Sequence, residues 1–396
     1  MKNYDTITPE GTKDLLFNEC VARRNVEDNI HKIFKQRGYT EIITPGLEFF
    51  DVFNLNSRHF PQENMYKLVD NKGRLLVLRP DSTMPIARVV ATRLKDAILP
   101  LRLYYNQCVY NISPQLRGRS DQVVQAGIEL IGSSSNMSDL EVIGMAIDVL
   151  DTCSDGSYSL EIGDSGIFKE LVAELNVSDD MKENIRYLIE QKNYPALNDL
   201  LDTIGDSKIT KSLKKLPRLF GNADVLDKAS NLFTNKQIDM YLTDLKAVYE
   251  NIKQLYPDAH VSIDLGMVNR ADYYTGVIIK GYVEGCGDEV LSGGRYDKLI
   301  SEFGYDVPAT GFAVNVDTIS QMIAKKKSVT NTPVDVIIFA ESGFEMKAMK
   351  VAQDMRKQGL NVENSFIDDL ESVREYACEK KIPKIMIINE DVTEVQ

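Results

Sequence analysis

The chain has 396 residues, 43% of them hydrophobic and 27% charged, which is the composition of a protein with a proper core and room for two or three domains. Its 59 acidic against 46 basic side chains leave a net charge of −13, which disfavours nucleic acid as the main partner because phosphate binding draws on clustered Lys and Arg. No apolar run approaches a membrane span of ~18 residues, the first residues lack an apolar leader core, and five scattered cysteines hold no Cys-x-x-Cys pair, so a cytoplasmic protein with reduced, buried thiols and no structural zinc is expected.

Residues 7–14 form a Pro/Gly turn segment. A helix is expected from about Asn18, where Val26, Ile30, Ile33 and Phe34 recur at helical spacing and Gly38 supplies the stop. A strand over 39–44 ends at Pro45. Within 64–79, two short apolar runs flank Asn71-Lys72-Gly73, a hairpin signal. The second run delivers Leu78-Arg79-Pro80-Asp81-Ser82-Thr83 ahead of a helix from Pro85. Asp81, Ser82 and Thr83 are all capping residue types, and capping accounts for Ser82.

Two strands follow, 103–113 and 122–131, joined by a basic loop with Arg117 and Arg119 around Gly118. On the second strand Val123, Gln125, Gly127 and Glu129 share one face by the period of two. A glycine there leaves a ligand room to approach the backbone, and an amide and a carboxylate across that gap can hold a small cationic molecule. The same pattern suits a solvated strand face, and the spacing leaves both open.

A helix over 136–153 and a strand over 158–162 come next, then a stretch from about 168 to 255 with helical periodicity, mixed charge and solvated faces. No chemistry suggests itself there. The sheet resumes over 261–265, and Asn269-Arg270-Ala271-Asp272-Tyr273-Tyr274-Thr275-Gly276 leads into a strand over 277–283. Adjacent tyrosines on a strand point to opposite faces, so one can pack while the other offers its hydroxyl to a pocket; two core tyrosines fit as well. Gly293-Gly294-Arg295-Tyr296-Asp297 reads as a loop into a helix, followed by Gly311 to Thr318. Beyond a linker at 326–333, three strands alternating with two helices imply a small α/β domain over 334–396. Residues 331–396 carry thirteen acidic against eight basic side chains.

These segments together resemble the class II aminoacyl-tRNA synthetases, above all histidyl-tRNA synthetase, and most closely its paralogues, the regulatory subunits of ATP phosphoribosyltransferase. The helix, Gly38-Tyr39, short strand, Pro45 and Glu48 are similar to motif 1, the family's dimer interface. Gln125, Gly127 and Glu129 resemble the second strand of motif 2. Residues 78–83 resemble the segment whose acidic residue and Thr hold the ligand's ammonium, Tyr273-Tyr274 the histidine motif, and Gly311 to Thr318 motif 3. The fold so implied is α+β: an antiparallel sheet flanked by helices over 1–325, with the helical insertion at about 168–255 and a truncated anticodon-binding-like α/β domain at 334–396.

The resemblance also assigns roles. Asp81, Thr83 and Gln125 would meet the ammonium of histidine, and Glu129 and Tyr274, with Tyr273 beside it, the imidazole. Three arginines of the family fall on Asn111, Asn269 and Thr318, with Arg270 one position late, and a glutamate falls on Ser113. Adenylate formation places negative charge on phosphorus that fixed guanidinium groups stabilise, and losing one such donor commonly costs about a hundred- to a thousandfold in rate. The sequence thus keeps a sensor and loses the catalyst. What the resemblance implies is a non-catalytic subunit without cofactor or metal. It would form a homodimer within a hetero-oligomer with the short catalytic subunit, needed for the first step of histidine biosynthesis and for feedback by L-histidine. Neither a membrane nor tRNA is expected as a partner. A working histidyl-tRNA synthetase and a free-standing histidine or tRNA sensor are the alternatives.

Overall fold

Helix α1 (Asn18–Gln36) buries Val26, Ile30, Ile33 and Phe34 along one side and stops at Gly38, whose φ of +76° favours glycine. In the computed structural model, residues 4–55, 60–112, 120–268, 273–326 and 333–395 are described, and the chain divides into two compact units, Met1–Lys327 and Ser328–Gln396.

In the first unit, β1 (Thr40–Glu41) is shorter than the strand expected over 39–44, because only two of its residues pair with a neighbour. Then come β2 (Leu47–Phe49) and the hairpin β3 (Lys67–Val69) and β4 (Leu75–Leu78), turned at Gly73 with φ +76°. Helix α2 (Thr83–Arg93) leads to the long strands β5 (Leu101–Tyr110) and β6 (Gln122–Ile131). Helix α3 (Asn136–Ser154) starts at Ser135, whose hydroxyl accepts from Met137 N at 3.2 Å, and precedes β7 (Tyr158–Asp164).

The region of helical periodicity holds α4 (Ser165–Ala173), α5 (Asp179–Glu190), α6 (Tyr194–Ile204), α7 (Lys208–Lys215), the two-residue β8 (Phe220–Gly221), α8 (Asp224–Leu232) and α9 (Lys236–Leu255). Its apolar side chains, among them Ile185, Leu197, Leu213 and Leu245, join the main core. Strands β9 (Val261–Asp264), β10 (Val277–Val283), β11 (Leu291–Arg295) and β12 (Ala309–Asn315) and helix α10 (Val316–Lys326) complete the unit. The glycine pair Gly293-Gly294, expected in a loop, lies inside β11: it lets β10 and β12 approach, since a Cβ at 293 would sit 2.3 Å from Gly311 O.

Among the described residues nine strands form one sheet in the order β1-β5-β6-β12-β11-β10-β7-β9-β8, antiparallel except for the β1/β5 and β7/β9 pairs. Residues paired across antiparallel strands project to the same side. Ile128, Phe312, Ile279 and Ile162 fall on one such side and pack into the core with α1, α3 and α9. Gln125, Gly127 and Glu129 project to the other, together with Gly311, Ala313, Ser292, Gly294 and Lys280. One face is therefore apolar and covered, while the other presents small and polar residues.

In the second unit, β13 (Val336–Ala340), α11 (Glu345–Lys357), β14 (Val362–Asn364), α12 (Leu370–Lys380) and β15 (Ile385–Ile388) alternate as expected, with β13, β14 and β15 parallel. A fourth strand, β16 (Val392–Val395), adds antiparallel to β15 and was not anticipated. The expected burial of the thiols holds for Cys153 but not for Cys20 or Cys378, which are exposed. Cys378 follows the buried Ala377 by one helical step, about 100° round, and so faces outward. Among the described residues, no helix is long and apolar enough to cross a membrane.

Candidate functional site

Arg79, at the end of β4, is buried and donates to Thr44 O (2.6 Å), Cys108 O (2.7 Å) and Gln107 Oε1 (2.8 Å). These charge-assisted bonds tie the hairpin to β5 and fix where residues 80–83 begin. The cap of α2 then comes from Asp81, whose Oδ1 accepts from Met84 N at 2.8 Å. Ser82, expected to do this, makes no side-chain cap bond; its Oγ is buried and has no hydrogen-bond partner among the described residues. Ser82→Ala is therefore expected to stay within about 0.5 kcal/mol of the parent, since removing an unpaired hydroxyl loses no bond. Asp81→Ala should cost about 1 kcal/mol. Chemical denaturation of both variants checks the contrast, and the reverse order would restore Ser82 as the cap.

Thr83, in the first turn of α2, donates its hydroxyl to Glu129 Oε1 at 2.6 Å, and the Tyr296 hydroxyl donates to Glu129 Oε2. Glu129 is buried, so both oxygens are held before any ligand arrives. Gly311 faces Glu129 across β12, where a Cβ would come within 2.4 Å of Oε2. Gly127 has a different use from the expected one. A Cβ there would lie 2.4 Å from the Tyr105 hydroxyl and 2.5 Å from Phe312 O, so the glycine makes room for Tyr105 and not for a ligand.

Tyr273 and Tyr274 precede β10 instead of lying on it, so the alternation expected of a strand does not apply. Their rings are 5.0 Å apart at 69°, and Tyr273 lies 5.7 Å from Tyr296. Both line one cavity. The Tyr274 carbonyl accepts from Lys169 Nζ (2.8 Å) and Ser165 Oγ (3.1 Å) on α4.

That cavity, of about 250 Å³, brings together Asp81, Thr83, Gln125, Glu129, Tyr273 and Tyr274, all six residues singled out in the sequence. Gln125 Oε1 is buried without a partner among the described residues, an acceptor left free. Four carboxyl groups line the walls, those of Asp81, Glu129, Glu190 and Glu289, against the ammonium of Lys280. Burial pushes Asp81 up to about 6, although backbone N–H groups of Met84, Thr83 and Ser82 favour its ionised form. Burial pushes Glu129 up to about 8, with the bonds from Thr83 and Tyr296 opposing and the Asp81 charge adding to it. The Tyr274 hydroxyl is also driven well above its ordinary range, first by burial. Such a site favours a cation that donates hydrogen bonds, because it neutralises carboxylates partly withdrawn from water.

Asn111 donates its Nδ2–H to Pro80 O at 2.8 Å, and Thr318 donates its backbone N–H to Asn315 Oδ1 at 2.9 Å at the start of α10. Both side chains are neutral, and that of Asn111 has a local structural role. Among the described residues lining the cavity, none carries a guanidinium. Asn269, Arg270, Ser113, Arg117, Gly118 and Arg119 lie outside the described residues.

Among the described residues, Tyr296, Glu190, Lys280 and Glu289 of the site were not singled out. Tyr296 stood in a noted motif, but only the closure of β11 against β6 through β12 brings its hydroxyl to Glu129. Glu190 sat in a stretch read as solvated; α5 carries it over the sheet, where it accepts from the buried Arg186 at 2.8 Å. Nothing in its local sequence marks it.

Residues 11–319 match the family model described as histidyl-tRNA synthetase. The ATP phosphoribosyltransferase regulatory subunit of Clostridium botulinum (strain Langeland / NCTC 10281 / Type F) is 42% identical over 393 residues, 98% of this chain and 92% of that one. The chain belongs to this family of regulatory subunits. The same-named protein of Bacillus cereus (strain AH187) is 37% identical over 393 residues, again 98% of this chain and 92% of the relative. Among solved structures, an ATP phosphoribosyltransferase regulatory subunit/histidyl-tRNA synthetase from Bacillus halodurans C superposes with a TM-score of 0.85 at 28% identity, covering 98% of this chain and 99% of that chain. Histidyl-tRNA synthetase from Nostoc sp. PCC 7120 shares the fold, with a TM-score of 0.79 at 22% identity over 98% of this chain and 96% of its own. The class II fold expected from the sequence is thus the fold of the family.

Proposed function

We propose that this chain is the non-catalytic regulatory subunit of ATP phosphoribosyltransferase. It assembles as a homodimer with a separate short catalytic subunit for the first step of histidine biosynthesis, and L-histidine enters the cavity as feedback effector. The observation that carries this reading is the pairing of a buried carboxyl, Glu129, and a half-buried one, Asp81, with Thr83, Gln125 and Tyr274 around one amino-acid-sized cavity. The neutral Asn111 and Thr318, where the synthetases place arginine, favour sensing over adenylate formation. Histidine acts by binding one arrangement of the assembly more tightly than another, which shifts their populations.

The test has two parts. Calorimetric titration of the full chain is expected to give micromolar, histidine-selective binding. In the assembled enzyme, Glu129→Ala with Tyr274→Phe should abolish inhibition by histidine while the complex stays intact. Normal inhibition by that double variant sinks the proposal. Histidine-dependent exchange of pyrophosphate into ATP is expected to be undetectable, whereas measurable exchange would favour a synthetase.

Binding should also release protons. Without ligand, Glu129 at about 8 is mostly protonated near pH 7; the ligand's ammonium in the same cavity, and an imidazole N–H donating to the carboxylate, favour its ionised form and lower that value. The complex then holds fewer protons than the free chain, so affinity rises with pH and levels off above about 8. Between pH 7 and 8 the imidazole of free histidine is already neutral, which isolates the protein's contribution. Calorimetry at pH 7 in buffers of different ionisation enthalpy should read close to one proton released, and a pH-independent affinity would contradict the assignment.

A further inference from the structure

Among the described residues the proposed site offers the ligand's carboxylate no guanidinium, since the cavity walls supply four carboxyl groups, and in the sequence the family's arginine falls on Asn269. We infer that Lys280 takes this carboxylate and sets the cavity's preference for a free amino acid; the inference rests on the histidine reading above. Among the described residues lining the cavity, Lys280 alone has a cationic side chain.

The register places it. Gly127 on β6 lies opposite Ala313 on β12, Ala313 opposite Ser292 on β11, and Ser292 opposite Lys280 on β10. All four project to the cavity face. Gly127 is flanked on its own strand and face by Gln125 and Glu129. Ala313 and Ser292 are small, so no side chain on the two intervening strands rises between the acidic end and Lys280. Three strand spacings make roughly 14 Å between the end positions. A lysine stem and a histidine laid end to end fill that distance, with the imidazole toward Glu129, the carboxylate toward Lys280 and the ammonium beside the carboxylate toward Asp81. The cavity therefore has the polarity of a zwitterion.

Lys280 Nζ pairs with Glu289 at 2.9 Å, and the two side chains are 20% and 42% exposed. An ammonium has three donors, so this pair leaves others for a ligand oxygen. Lys280 also borders a second cavity, of about 270 Å³, and faces Glu161 across β10 and β7. A purely structural lysine would do no more than offset Glu161 and Glu289, and a ligand that differs only at the carboxylate separates the two roles.

The experiment titrates the full chain and its Lys280→Met variant with L-histidine and with L-histidinol, in which a hydroxymethyl group replaces the carboxylate. The wild-type chain is expected to prefer histidine, and Lys280→Met to weaken histidine by about tenfold or more while leaving histidinol within about twofold. Equal losses on both ligands, or no loss, overturn the inference and leave the histidine reading standing. Failure of the wild-type chain to bind either ligand overturns both. Glu289→Gln gives a second route that keeps Lys280: histidine should bind about two- to fivefold more tightly with histidinol unchanged, because a competing carboxylate is gone. Unchanged histidine affinity there overturns the inference even where Lys280→Met fails to fold. An Arg270→Met variant that alone carries the histidine-specific loss also overturns it.

Discussion

Glu129→Gln is expected to weaken L-histidine binding by roughly 30-fold to several thousandfold, the range for truncating one partner of a buried charge pair. The replaced group is buried, bonded by Thr83 and Tyr296, and shares its cavity with Asp81. Without ligand, the carboxyl is already mostly neutral near pH 7, with burial holding it up to about 8. A neutral amide of the same shape therefore changes the free chain little, and its thermal midpoint should move by no more than about 2 °C. The proton release proposed for the wild-type chain should disappear in the variant. Two outcomes would refute this account: histidine affinity within threefold of wild type, or a loss of affinity matched by a large loss of stability.

Arg295→Leu should act in the opposite way, on the fold. Arg295 lies at the end of β11 and donates to Asp139 Oδ1 on α3 (2.8 Å from Nη2), to Ser133 O (3.1 Å) and to Asp297 Oδ1 (3.1 Å). Its side chain and that of Asp139 are each 10% exposed. Burial raises the Asp139 carboxyl above its ordinary range while the Arg295 charge opposes the rise. Removing the guanidinium leaves Asp139 buried without its partner, which costs about 3–5 kcal/mol. For a unit of this size the midpoint should fall by roughly 4–7 °C. Arg295→Lys recovers part of this, because an ammonium supplies the charge but not the two-pronged geometry. Replacing both partners by Leu should recover most of it, since well-packed apolar residues commonly match a buried pair. A loss below about 1 kcal/mol for Arg295→Leu would show that the pair is dispensable.

The contrast between these residues separates what was legible from what was not. The motif Gly293-Gly294-Arg295-Tyr296-Asp297 is continuous in sequence, yet its members part company in space. Arg295 braces α3, Tyr296 bonds Glu129, and Gly293 lets strands approach. Read as a loop, the motif hides this, because strand identity there depends on pairing with β10 and β12 and not on local propensity.

Legible in the chain were the family, most of the elements in their order and six of the residues lining the cavity, whereas β16 and the strand at Gly293-Gly294 were not. Periodicity reports burial on α1, α3 and β6 directly, and the capping and hairpin signals are local. Which polar groups meet follows from the packing of the folded chain. Ser82 and Asp81 are both capping types, and the course of the chain fixed by Arg79 selects Asp81. Gly127 reads as room for a ligand until Tyr105 is found in that room. Glu190 lies far along the chain from every motif, and Lys280 is one lysine on one strand; both reach the cavity because nine strands hydrogen-bond in an order that sequence spacing does not encode. Local signals fix what each segment becomes, whereas a binding site depends on pairings between segments, and those are set by the packing of the whole sheet.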